Sequence, residues 1–162
     1  MPNFSDHVNQ SVNNLRFLEG INGHLPNYCD WQVTVCFYTA LHLVNAYLAN
    51  SGMQYRKHSE VTNAINPMNQ LSPFSIPEDP YSAYISLMSL SRRSRYLALD
   101  TDLQSKKAHL TYDKHLAKAI RHLETIMQWF SGKFPDTSFP TINVKCIEIK
   151  AREGFRYFKK KN

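Results

Sequence analysis

Glycine is scarce in this chain, with five in 162 residues, and none stands in the closely spaced pattern by which a loop wraps a phosphate in backbone N–H groups. That excludes a P-loop or a dinucleotide-binding loop, and Ser91 and Ser94 lack the flanking glycines of a nucleophile elbow. Cys29, Cys36 and Cys146 are an odd number with no CxxC pair. They indicate neither a disulfide framework nor a zinc site, and Cys36, inside an apolar stretch, reads as a small buried thiol. No run of about 18 apolar residues free of polar groups occurs, and the opening MPNFSDHVNQ lacks the basic-then-apolar order of a secretion signal. The expectation is a soluble, cytoplasmic protein with no membrane segment. Internal repeats and low-complexity tracts are also missing.

What is present is one strongly apolar stretch, Asp30 to Ser51, DWQVTVCFYTALHLVNAYLANS. It contains no Pro or Gly, begins at a potential N-cap in Asp30 and is followed by Gly52, a natural left-handed terminator. Its apolar residues fall on every side, which predicts a helix of roughly 30 Å wrapped by the others of one domain. Tyr38, His42 and Asn45 follow one another at helical spacing and draw a polar seam along it. Buried polar groups need partners, so the seam is either a structural hydrogen-bond network or the wall of a site.

The other elements follow from periodicity and breakers. Ser5 can cap a first helix with Val8, Val12, Leu15 and Leu18 inward, ended by Gly20 and Gly23. A short helix spans His58 to Asn66, before Pro67. Four prolines between Pro67 and Pro80 mark a loop, and Asp79-Pro80 opens a fourth helix running into Ser91-Arg92-Arg93-Ser94-Arg95-Tyr96. The last long helix covers about 111–131, with Gly132 and Pro135 beyond it. Ile142, Val144 and Cys146 alternate with Asn143 and Lys145 as a strand too isolated to form a sheet alone, so it pairs with its own copy in a dimer or lies extended along the bundle. The expected organisation is all-α: a four- or five-helix up-and-down bundle over residues 5–135, followed by an extended, partly strand-like basic tail over 136–162.

The net charge of +6 is unevenly placed. Residues 152–162 hold five basic groups against Glu153 and so supply +4, leaving +2 for the rest. An anionic partner would be drawn to the tail or to Arg92, Arg93 and Arg95. In the tail, Arg156 and Lys159 are interleaved with Phe155, Tyr157 and Phe158, a pattern that can stack bases and contact phosphates, or else forms a subunit-docking arm or a frayed end. His115 and His122 lie seven apart after His109, but with no i,i+4 pair and no adjacent carboxylate they indicate no metal. For Arg92, Arg93 and Arg95 the plain alternative is a helix end whose cations favour the C-terminal dipole. For His42 it is a buried imidazole bonded to a neighbour, and for His58 a residue that caps or packs beside its short helix.

The order of helices, together with Trp31, Phe37-Tyr38-Thr39-Ala40-Leu41-His42, Ala46, Leu48, Lys57-His58 and Arg92 to Tyr96, resembles the HEPN superfamily over roughly residues 5 to 131. That resemblance implies a small helical domain acting as a homodimer. Its function would be to bind RNA or a nucleotide, or to act as a metal-independent endoribonuclease of a toxin–antitoxin or defence system, with no cofactor. In such enzymes an Arg and a His four to six residues later share one helix. Here no His falls in that window after Arg92, Arg93 or Arg95, and Tyr96 stands one turn after Arg92. The resemblance then points to Arg92, Arg95, Tyr96 and His42 as reacting groups, with Tyr38, His58 and Arg93 as ligand contacts; the tail lies outside it, and Arg156 and Lys159 join the expected contacts on their own aromatic-basic pattern. The missing histidine favours the alternative, a non-catalytic interaction module for a partner protein of such a system.

Overall fold

The computed structural model describes residues 2–95, 111–150 and 152–161. Five helices form the body: α1 (Phe4–His24), α2 (Cys29–Asn50), α3 (His58–Ile65), α4 (Glu78–Arg95) and α5 (Asp113–Lys133). Two short strands follow, β1 (Ile142–Val144) and β2 (Phe158–Lys160). No helix among the described residues is long and apolar enough to cross a membrane.

The central position of α2 follows from its sequence. Fourteen of its 22 residues are buried, more than a single stripe holds, so it packs against α1, α4 and α5 at once. Phe37, Leu43 and Leu48 from α2 meet Leu15 and Leu18 of α1, Tyr84 and Leu87 of α4, and Leu116, Ile120, Leu123 and Phe130 of α5 in one core. Thr34 and Thr39 sit inside this packing by returning their hydroxyls to the carbonyls of Asp30 and Val35, at 2.9 Å each. The helix starts at Cys29 rather than after Asp30, which lies in the first turn, and Tyr28 precedes it without a side-chain cap. It ends at Asn50, just before Gly52 as expected, and Gly52 is the only described residue with a positive φ, at 73°.

Two expectations for α1 are corrected. Its cap is Asn3, whose Oδ1 accepts from the Asp6 N–H at 3.0 Å while the Asp6 carboxylate accepts from the Asn3 N–H at 2.8 Å, a reciprocal capping box. Gly20 and Gly23 do not end it. The helix runs through both to His24 because Leu18 and Asn22 are buried there, and packing outweighs a cost of about 1 kcal/mol per glycine. Helix α5 likewise passes Gly132 before stopping at Lys133.

The largest correction concerns the tail. β1 pairs in parallel with β2, Ile142 opposite Phe158 and Val144 opposite Lys160, so its partner is the end of the same chain. Tyr157 and Phe158 are buried in the core, as are Ile142 and Val144. Polar side chains on the helices hold this small sheet by its backbone. Asn22 of α1 accepts the Lys145 N–H at 2.6 Å and donates to the Lys145 carbonyl at 3.0 Å, standing in for a neighbouring strand. Glu19 Oε1 accepts from the Asn143 N–H. On α5, the buried Glu124 carboxylate accepts the N–H groups of Arg156 and Tyr157 at 2.7 and 3.1 Å, while Arg121 grips Glu153 through two bonds of 2.7 and 2.8 Å. The Arg121 hydrogen bonds lower the Glu153 pKa to about 2.

These contacts set two expectations. Gly52→Ala meets no atom within 4 Å, so its cost is conformational alone; urea denaturation should show a loss of about 1 kcal/mol. Glu124→Ala strands two backbone N–H groups. It should cost about 3 kcal/mol, and limited trypsin digestion should then cut at Arg152 and Arg156 ahead of the helices.

Candidate functional site

The part of α2 that the other helices leave open is its polar stripe. Trp31 is exposed, and Tyr38, His42 and Asn45 are half-buried. Each of the last three faces a different neighbour, and together they form a continuous polar edge about 10 Å long at 1.5 Å per residue.

At one end, Arg95 from the last turn of α4 places Nη1 3.3 Å from the Tyr38 hydroxyl, and its guanidinium carbon 5.8 Å from the Tyr38 ring centroid, within cation–π reach. Arg95 Nε also donates to the Ser91 carbonyl of its own helix at 3.3 Å. Arg92 is exposed one turn earlier. His58, the first residue of α3, sets its ring 5.6 Å from that of Phe37 and tilted to it by 53°. Its pKa is lowered first by burial and then by the positive charges of Arg95 and Arg92. Tyr38, His58, Arg92 and Arg95 therefore share one positively charged corner built by α2, α3 and α4.

One turn along α2, His42 meets His7 of α1. Their Nδ1 atoms are 3.1 Å apart and their ring centroids 5.4 Å, so one ring donates and the other accepts. Burial is the main cause lowering the pKa of each. His42 is further lowered by His7, whereas Asp6 partly offsets the effect on His7. Both imidazoles are thus held toward the neutral form, which can accept a proton near neutral pH. A few residues farther, Asn45 lines a cavity of about 340 Å³ with His7, Pro2, Met53, Gln54, Tyr55 and Arg56.

The remaining expected contacts lie elsewhere. Arg93 turns toward α5, where its charge helps lower the pKa of His115, and its buried Nε has no hydrogen-bond partner. Arg156 packs over the Tyr157 ring with its guanidinium carbon 5.3 Å from the centroid, and Lys159 is exposed in β2. Both belong to the C-terminal segment, Lys159 within β2 and Arg156 just before it, and not to the helices that carry Tyr38, His58, Arg92 and Arg95. Because Tyr157 and Phe158 are core residues, they are not free to stack bases. Tyr96 and His109 lie outside the described residues.

His115 of α5 is also accounted for. His115 is buried and accepts the Tyr112 N–H at 3.0 Å, so it serves the helix start and not a ligand. Among the described residues no group of three or more His, Cys, Asp or Glu is placed to hold a metal ion. All three cysteines are buried and free; burial pushes Cys36 up to about 12, and burial with Asp113 does the same for Cys29, which leaves inert thiols.

His7 had no place among the expected site residues. Its signal lay in the α1 pattern His7, Ser11, Leu15, Leu18, Asn22, a stripe that steps by four and three with polar members. Ser11 and Asn22 prove fully buried, and the apolar series through Val8 and Val12 obscured them. Compared with protein-family models, with curated proteins and with solved structures, the chain has no match in any of the three.

The histidine pair gives a pH dependence with a definite sign. The ordinary value is 6.5 and both folded values lie below it, so the unfolded chain binds more protons and stability falls as pH drops below about 6.5. Urea midpoints at pH 7.5 and pH 5 should show this loss. His42→Gln should diminish it without abolishing it, because burial also lowers His58, His115 and His122.

Proposed function

We propose that this chain is a HEPN-like homodimeric protein that binds RNA, with the phosphate held at the corner formed by Tyr38, His58, Arg92 and Arg95. The observation that carries this reading is the approach of Arg95 to the Tyr38 hydroxyl, next to Arg92 and beside an imidazole that already feels both charges. A phosphodiester is a fitting ligand for two guanidinium groups, whose planar forks match its oxygens. A neutral His58 and the Tyr38 hydroxyl add hydrogen bonds without adding charge.

The same edge supports metal-independent transesterification. Attack of the ribose 2′-oxygen on phosphorus breaks the bond to the 5′-oxygen, which departs as a hydroxyl with a proton taken from water, and leaves a cyclic phosphate. Arg95 and Arg92 would stabilise the charge gathering on the phosphorane oxygens, while His42, poised by His7, would take the 2′-hydroxyl proton. In this reading the His7–His42 contact supplies the proton acceptor that the Arg-then-His spacing of α4 lacks.

A second reading has its own support. Trp31 is 60% exposed, and nearby in sequence Tyr28 and Leu25 are 54% and 51% exposed, a set of large apolar side chains suited to a protein partner. On that reading the chain is a non-catalytic interaction module, and the basic corner serves to attract an acidic protein surface rather than RNA.

Incubation of the purified protein with mixed RNA in EDTA separates the two. The nuclease reading expects cleavage that resists EDTA, ends in cyclic phosphate and is abolished by Arg95→Ala; dimerisation in sedimentation is expected to persist in that variant. RNA affinity should fall about ten- to a hundredfold on loss of the charge-assisted bonds. No cleavage and no loss of RNA affinity in Arg95→Ala would leave the interaction module.

A further inference from the structure

The cavity beside Asn45 has a composition that the phosphate corner does not explain. It is lined by Tyr55, Met53 and Pro2, which carry flat or apolar groups, and by Asn45, Gln54 and Arg56, which carry two carboxamides and a guanidinium. Gln54 is fixed, since its Nε2 donates to the Pro2 carbonyl at 2.6 Å, which ties the start of the chain across the cavity and leaves its Oε1 as an acceptor. Asn45, although half-buried, forms no side-chain hydrogen bond among the described residues. It therefore keeps both a donor pair and an acceptor for a ligand. His7, which also lines the cavity, is held in place by His42.

Such a set matches one ligand chemistry better than others. A metal ion finds no cluster of ligands here. An ordinary anion would use Arg56 and leave the apolar walls and amides idle, and a hydrocarbon would leave the amides unpaired. A planar heterocycle with mixed donors and acceptors on its edge uses both parts, the faces against Tyr55 and Met53 and the edge against Asn45. The volume of about 340 Å³ is at the small end of ligand pockets.

We infer that this cavity is a nucleobase pocket, in which Asn45 reads the edge of the base, Tyr55 and Met53 flank its face, and Arg56 at the rim holds a phosphate. The inference rests on the RNA reading above and extends it: Asn45 lies two helical turns from Tyr38 on α2, so the pocket would take a base of the strand whose phosphate meets Arg95. A free nucleotide presents the same chemistry and would enter the same pocket.

The test uses the full chain and three probes: adenosine and cytidine 5′-monophosphate, ribose 5-phosphate as a base-free control, and a fluorescent single-stranded RNA. The pocket is supported if a mononucleotide binds at least tenfold tighter than ribose 5-phosphate, Asn45→Ala removes that difference, and Arg56→Gln weakens all phosphate-bearing probes about tenfold. Arg56 is exposed, so its substitution tests the pocket even where Asn45→Ala disturbs folding. Equal binding of mononucleotide and ribose 5-phosphate, or wild-type mononucleotide affinity in both variants, overturns the pocket. If RNA binding then still responds to Arg95→Ala, the phosphate corner stands alone. Mononucleotide binding that depends on Asn45 without any RNA binding identifies a free nucleotide as the ligand and removes the RNA reading instead.

Discussion

A helix that is apolar on every side is stable in water only when other elements cover it, and the architecture of this protein is largely the solution to that problem for α2. Helices α1, α4 and α5 each take one side. The stripe they leave open is the one with polar side chains, Tyr38, His42 and Asn45. Cover and opening are therefore set by one arrangement, since burying these three groups without partners would cost more than their packing returns. Each instead meets a polar neighbour or a cavity at the margin of the core: Arg95, His7, and the space beside Tyr55.

The C-terminal tail obeys the same requirement in another form. Its strands are too short to hold themselves, and they lie against the bundle because Asn22, Glu19, Arg121 and Glu124 satisfy their backbone groups from the helices. Glu124 is notable as a buried carboxylate spent on two peptide N–H groups and the Gln128 amide. With Tyr157 and Phe158 in the core, the tail is part of the folded body. Its basic side chains are carried by a different element from the helices that build the corner at Arg95.

Much of the helical organisation was legible in the residues. The all-round apolar character of 30–51 announced a central helix, Gly52 its end, and Asp79-Pro80 the start of the fourth helix to within two residues, since α4 begins at Glu78 and holds Asp79 in its first turn. What remained hidden depended on contacts distant in sequence. The periodicity of Ile142 to Cys146 showed a strand but could not show that its partner begins at Phe158, because parallel pairing leaves no turn signature between them. Gly20 and Gly23 read as terminators only while the burial of Asn22 was unknown. At the site, Tyr38 and Arg95 were both in the expected set and the fold brings them together. His7 escaped because a polar residue on a helix face looks solvated until the imidazole opposite it is known. Arg93, adjacent to Arg92 in sequence, points to another helix because successive helical residues are about 100° apart.

The proposed function thus depends on a corner where a histidine, its proton affinity lowered first by burial, is lowered further by the charges of Arg95 and Arg92. An RNA phosphate bound there would offset their charge and return the His58 pKa toward its ordinary value of 6.5. The most direct measurement is an NMR titration of the histidine rings with pH, in the free protein and with saturating single-stranded RNA. The account predicts that the His58 pKa rises on binding while that of His115, on the far helix, stays in place. An unchanged His58 in the presence of bound RNA would contradict it, and so would a shift confined to resonances of the C-terminal tail.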